Sequence, residues 1–192
     1  MPYPARLDHL AIVTAARSLL EAEGPEGLSM RALARTLGVS APSLYFHVES
    51  RDDLFRQLIA DGLERLAIVL RTANEQGAPR ERARQVARAY IGFAEAEPQL
   101  FTLTFGPCSD GMRVDDRFGE YASLPVLKLA AELVGESQAL FFAGALWSLV
   151  HGYTVLRLAD QFRTNPDHDA TLWYALDVLL AGATLAEPAR GG

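Results

Sequence analysis

Side chains able to do chemistry are few and scattered in this sequence. The histidines are His9, His47, His151 and His168, and the single cysteine is Cys108. None has metal-ligand spacing of the H-E-x-x-H or paired-cysteine kind. There is no G-x-S-x-G elbow and no glycine-rich phosphate loop. The expectation is therefore a chain with no catalytic residue, no metal and no cofactor. A lone cysteine allows no intrachain disulfide, which fits a reducing cytoplasm; Cys108 is read as an incidental thiol. Two groupings remain. One is Ser40, Pro42, Ser43, Tyr45, Phe46, His47 and Arg51, polar and aromatic residues crowded into twelve positions. The other is Trp147, His151 and Thr154, at i, i+4 and i+7, amid Phe141, Phe142 and Tyr153. That spacing suits a core face with a hydrogen-bonded histidine. It suits equally a mostly apolar pocket with a few polar groups, the usual form of a small-molecule site.

The elements that must position the first grouping are legible. Ser29 stands where a helix N-cap belongs, and Met30, Leu33, Ala34 and Leu37 then repeat as one apolar helical face. Gly38 follows and can take the left-handed conformation that stops a helix. Val39 can plug the turn. Ser40 can cap a second, short helix that tolerates Pro42 in its first turn. Leu44 and Val48 form its natural inward pair, which leaves Tyr45, Phe46 and His47 facing outward. Ser50 and Asp53 make an S-x-x-D capping box ahead of Leu54. Helix, glycine turn and capped short helix make the helix-turn-helix layout, whose second helix enters the DNA major groove.

This stretch resembles the N-terminal domain of TetR-family transcriptional repressors. The matching residues are Ala15-Ala16, Glu23-Gly24, Ala34, Gly38-Val39-Ser40, Leu44-Tyr45, His47-Val48 and Leu54, over roughly residues 6 to 56. Val48 stands where the family usually has Phe, and Arg51 where it usually has Lys. The resemblance implies that Tyr45, His47 and Arg51 contact phosphates. Arg31, Pro42, Ser43 and Phe46 would face base edges, with Ser40 beside them. The apolar members suit thymine methyl groups, so a T-containing half-site is expected.

The rest of the chain reads as helices. A first helix covers 6–23, broken by Gly24, Pro25 and Gly27. Others are expected over 51–76, 80–96, from Pro98 through QLFTLTFG, 123–134, 137–163, and from Asn165-Pro166 to about Leu185. A polar loop is expected over 106–119. Nothing alternates with period two, so the fold class is all-α: a helix-turn-helix DNA-binding domain over 1–52 and a helical ligand-binding and dimerisation domain over 53–192. The segment containing Trp147, His151 and Gly152 resembles a Trp-x-x-x-His-Gly (WHG) C-terminal domain found in some TetR-family proteins. That resemblance implies ligand sensing and dimerisation. Candidate lining residues are Tyr90, Phe93, Phe101, Phe105, Met112, Trp147, His151 and Thr154. The two last helices carry more apolar residues than a domain this small can cover, which points to a subunit interface.

Composition agrees with a folded globular chain of 192 residues, 49% apolar. No signal peptide is evident, and no run of eighteen apolar residues occurs, so no membrane span is expected. Net charge is −6, and residues 1–56 hold six Arg against seven Asp or Glu. Phosphate neutralisation supplies most non-specific DNA affinity, so that affinity should be modest. The expected function is a cytoplasmic, homodimeric repressor on a near-palindromic DNA operator, released by a small hydrophobic effector. Two rivals are an effector-independent DNA-binding regulator and a helical enzyme or carrier in which the helix-turn-helix is only structural.

Overall fold

Several of the regular elements follow from a capping residue and an apolar stripe. The computed structural model describes residues 7–107, 109–162 and 167–185. Cys108 and the expected Asn165-Pro166 cap lie outside them. Among the described residues the regular structure is helical, without strands. The helices are α1 (His9–Gly27), α2 (Met30–Leu37), α3 (Ala41–Leu44), α4 (Arg51–Ala73), α5 (Pro79–Ala96), α6 (Pro98–Phe105), α7 (Asp116–Val134), α8 (Glu136–Leu158) and α9 (His168–Leu185). A 3-10 turn spans Asp110–Met112.

The chain forms two compact units, and α4 contributes to both. One unit comprises residues up to Arg65 together with Glu97–Gly119; the other comprises Leu66–Ala96 and the chain from Glu120 onward. In the first, Ile12, Ala16 and Leu20 of α1 are buried with Leu33 of α2, Leu44 after the turn, and Leu54 and Leu58 of α4. This is the arrangement a helix-turn-helix needs, since its two short helices cannot bury their apolar faces alone. Asp8 caps α1 by accepting from the Ala11 N–H at 2.8 Å. α1 kinks at Gly24, whose φ of 70° favours glycine. Pro25 can then start a last turn, because a first-turn N–H has no helical partner to lose.

Several boundaries differ from expectation: α1 starts at His9 and continues past the Gly24 kink to Gly27, where 6–23 was expected. The polar loop is shorter than 106–119, because α7 begins at Asp116. A start at 123 was expected, but the helix begins seven residues earlier and carries Pro125 in its interior. The Asp115 carboxylate accepts from the Arg117 N–H at 3.0 Å and supports the first turn. α8 stops at Leu158, not 163. No glycine or proline marks that stop; Asp160 adopts φ 52°, and the Gln161 N–H reaches back to the Leu156 carbonyl at 2.9 Å. Aspartate is one of the few side chains that visit the left-handed region, so the helix closes with a glycine-like stop. α4 ends at Ala73 where 76 was expected, with Gly77 at φ 105° in the turn that follows.

In the second unit, Leu172, Leu176, Leu180 and Ala183 of α9 are buried, as are Phe142, Leu146 and Val150 of α8. The opposite faces are exposed: Leu140, Phe141 and Leu156 on α8, and Tyr174 and Val178 on α9. By length and composition alone, α8 is apolar enough to cross a membrane. The absence of an unbroken eighteen-residue apolar run did not disclose this, because scattered Gly, Ser and His interrupt the run without making the helix polar.

Candidate functional site

The reading surface is built from the turn outward. Ser29 accepts the Ala32 N–H at 3.1 Å and starts α2. Gly38 closes it at φ 66°, its N–H directed to the Ala34 and Arg35 carbonyls. Ser40 then accepts the Ser43 N–H at 3.3 Å, and the two hydroxyls lie 2.7 Å apart. α3 is barely a turn long. It is extended by N–H bonds of 2.9 Å from both His47 and Val48 to the Leu44 carbonyl. Leu44 and Val48 are buried, while Tyr45 is 53% and Phe46 88% exposed. Pro42 and His47 are exposed as well, and Ser43 is half-buried. A phenylalanine so exposed has no role in its own core, and it projects beside a tyrosine from a rigidly capped turn.

Arg31 and Arg35 project from α2 into solvent. Other arginines of this unit are committed internally. Arg17 pairs with Asp61 at 2.7 Å and Glu97 at 3.4 Å. Arg56 pairs with Asp53 at 2.5 Å. Arg51 donates to the Leu28 carbonyl at 3.1 Å and the Pro25 carbonyl at 2.5 Å, with its guanidinium 4.5 Å from the Phe55 ring centre. A cation in the first turn of a helix opposes the helix dipole. These carbonyls at the kinked end of α1 account for its presence there. Asp53 accepts from the Glu49 N–H at 2.9 Å while its own N–H donates to Ser50 Oγ at 3.0 Å. The capping box thus forms with its return bond one residue before the cap.

The ligand candidates divide between the units. In the second unit, Tyr90 of α5 and His151 of α8 share a hydrogen bond of 2.8 Å through His151 Nδ1. The Trp147 ring centre is 5.2 Å from that of His151. Burial pushes the Tyr90 phenol far above its ordinary value, a bond to Trp147 acting weakly against it. Burial also holds the His151 imidazole below its ordinary 6.5. A neutral ring can then accept the phenol proton at Nδ1 and carry its own proton on Nε2. Trp147 is 50% exposed. Thr154 is fully buried, and its hydroxyl donates to the Val150 carbonyl at 2.7 Å. Phe93 is buried in α5. Phe101, Phe105 and Met112 belong to the first unit, where the Phe101 and Phe105 rings pack 5.0 Å apart and Met112 is half-buried. Tyr90, Trp147 and His151 are thus brought together within the second unit.

Comparison with known proteins gives this geometry a family. A model described as bacterial regulatory proteins, tetR family, matches residues 12–58, and one described as tetracyclin repressor-like, C-terminal domain, matches residues 83–179. An HTH-type transcriptional regulator of Mycobacterium tuberculosis is 33% identical over 161 residues, covering 81% of this chain and 72% of its own length. The chain belongs to the TetR family of transcriptional regulators. Tetracycline repressor protein class E of Escherichia coli is similar too, 32% identical over 155 residues that span 70% of this chain and 71% of the repressor. Among solved structures, a protein of unknown function from Rhodococcus sp. RHA1 superposes with a TM-score of 0.79 at 26% identity, covering 95% of this chain and 98% of that one. As a TetR-family regulator the chain is a DNA-binding helix-turn-helix protein. The usual Phe is replaced by Val48, which is buried at the same inward position.

Residues that sequence reasoning missed include Glu21 and Gly62, which act on α6 from distant positions. No local pattern marks either, because their partners lie about forty or more positions away.

Proposed function

We propose that this TetR-family regulator is a ligand-responsive repressor that binds a near-palindromic operator as a homodimer and is released by a small, mostly hydrophobic effector. The observation that carries the reading is the capped turn presenting Phe46 and Tyr45 to solvent while Leu44 and Val48 anchor it from behind. Residues 1–52 hold the groups that meet DNA, and residues 53–192 those that bind effector and pair subunits. Tyr45, His47 and Arg51 set register on phosphates, Arg51 with the N–H groups its carbonyl contacts leave over. Arg31, Pro42, Ser43 and Phe46 meet base edges, with Ser40 beside them, and an apolar ring favours a thymine methyl. Two such heads would enter successive major grooves about 34 Å apart. The exposed apolar faces of α8 and α9 support pairing, because a monomer gains nothing from leaving such surface in water. The repressor names among the relatives support repression.

For the effector, the Tyr90–His151–Trp147 cluster offers a mostly apolar wall with a neutral imidazole. That favours an aromatic or lipophilic molecule over a strongly charged one, and the Trp147-x-x-x-His151-Gly152 sequence supports the WHG type. An effector releases DNA only by binding one conformation better than another. The reading is tested by selecting a duplex from a randomised pool, then measuring its affinity with and without lipophilic compounds found by thermal shift. Release by a compound whose binding is lost in Trp147→Ala supports it. DNA affinity indifferent to every compound that binds leaves the effector-independent regulator instead.

A further inference from the structure

The Tyr90–His151 contact has a direction, and a ligand meets the consequence of that direction. Tyr90 is 5% exposed and Trp147 50%, with His151 half-buried between them. The phenol and imidazole meet edge-on, ring centres 6.2 Å apart and planes at 71°, with the phenol oxygen 2.8 Å from Nδ1. The indole lies across a face of the imidazole, the centres 5.2 Å apart and the planes at 32°. The phenol thus takes the Nδ1 edge and the indole takes a face. The second ring nitrogen, Nε2, is directed away from Tyr90.

A phenol and a neutral imidazole can make such a contact in two ways. The phenol can donate to Nδ1, which leaves the ring proton on Nε2. Alternatively Nδ1–H can donate to the phenol oxygen, which leaves Nε2 a lone pair. The indole N–H of Trp147 is a donor only, and it bonds to the same phenol group. The second arrangement would load the phenol oxygen with two donors. It would also turn the accepting nitrogen away from the phenol, a stronger donor than either ring N–H. The first arrangement runs in one sense: indole to phenol, phenol to imidazole, and Nε2–H onward. Burial holds the His151 imidazole below its ordinary 6.5, which keeps the ring neutral and Nδ1 able to accept.

We propose that the Tyr90 hydroxyl fixes His151 with its proton on Nε2 and so sets the effector class: an uncharged aromatic molecule bearing a carbonyl oxygen, taken in preference to one that presents an N–H there. The inference rests on the effector-binding reading of this cluster. The carbonyl competes for the Nε2 proton with any neighbour the ring has in the unliganded protein, and it leaves the Tyr90 bond intact. An N–H ligand requires the other tautomer, which takes from the phenol its acceptor at Nδ1. A buried polar group deprived of its partner loses more than an ordinary bond returns, so the discrimination favours acceptors.

The test uses three tricyclic probes of nearly one shape. 9-Fluorenone only accepts, carbazole only donates, and fluorene does neither. Their affinities for the full chain are measured by calorimetry, beside the nitrogen-15 shifts of the histidine side chains, with the His151 signals assigned from His151→Gln. In wild type the shifts should show a protonated Nε2 and a bare Nδ1. Fluorenone should bind roughly 10-fold tighter than carbazole, with fluorene between them. In Tyr90→Phe the Nδ1–H tautomer should gain population, and the gap should close to about 3-fold or less by a gain for carbazole. His151→Gln, whose amide can turn either way, should bind the two alike. A wild-type ring protonated on Nδ1 would overturn the inference. So would a Tyr90→Phe protein that keeps the full wild-type preference, equal wild-type affinity for fluorenone and carbazole, or failure of all three where another lipophilic compound binds. If no lipophilic compound binds at all, the effector reading itself falls, and the nitrogen shifts still judge the tautomer.

Discussion

The two units treat their aromatic and polar side chains in opposite ways. Around α3, Phe46 and Tyr45 are turned outward. In the second unit, Tyr90 and His151 are turned on each other, and the Thr154 hydroxyl is spent on its own helix. A group that must meet an external duplex has to be paid for by rigid backing alone. A group that meets a small molecule can rest satisfied by neighbours until something displaces them. The first kind announces itself by exposure that its own fold does not need. The second is hard to tell from ordinary packing.

The contrast can be broken most severely at the backing. Leu44→Ala removes a fully buried side chain behind the recognition turn and should cost about 2–5 kcal/mol. Chemical denaturation should show a destabilised head, and the selected duplex should no longer bind at micromolar protein. Phe46→Ala tests the opposite side. Stability should stay within about 0.5 kcal/mol, while discrimination at a thymine position falls by about 1–3 kcal/mol. Equal losses on matched and mismatched duplexes would deny Phe46 a reading role.

Arg51→Lys separates strut from phosphate contact. Lysine cannot reproduce two directed bonds to the Pro25 and Leu28 carbonyls, so thermal stability should fall by about 1 kcal/mol. If the arginine also neutralises a phosphate, Arg51→Ala should lower the salt slope of binding by about 1; an unchanged slope makes it purely a strut. The smallest effect concerns His151. Its folded pKa lies below 6.5, so the unfolded chain takes up a proton first as pH falls. The contribution to stability is present above pH 6.5 and is lost as pH drops through the lower folded value. His151→Asn should flatten the fall in melting temperature between neutral and mildly acidic pH. In Tyr90→Phe the phenol no longer favours the neutral ring, and an NMR titration should place the His151 midpoint above that of wild type.

What could be read in advance was local. Ser29, Gly38, Ser40 and the inward pair Leu44 and Val48 act on neighbours within a few positions, so spacing alone discloses them. Helix ends without glycine or proline, such as the stop at Asp160 and the start of α7 at Asp116, carry no such local mark. The deeper misses were long-range. Glu21 meets residues 78 and 79 positions away, and Gly62 has its reason in Thr104. Arg51 looked like a surface cation because the carbonyls it serves belong to a kink 23 and 26 positions earlier. At the ligand candidates, the helical spacing of Trp147, His151 and Thr154 was real, but it could not say that Tyr90 would supply the partner.

The internal pairing of Arg17, Arg51 and Arg56 bears on how such a regulator searches a genome. Among the described residues of α2, Arg31 and Arg35 project into solvent, while those three guanidinium groups are held by acceptors of their own fold. On the proposed DNA-binding reading, residence on random DNA is expected to be brief, and a larger share of the molecules should diffuse free between encounters. A regulator of this kind gives up sliding range, and in exchange a small number of copies is not stranded on the chromosome when its operator falls vacant.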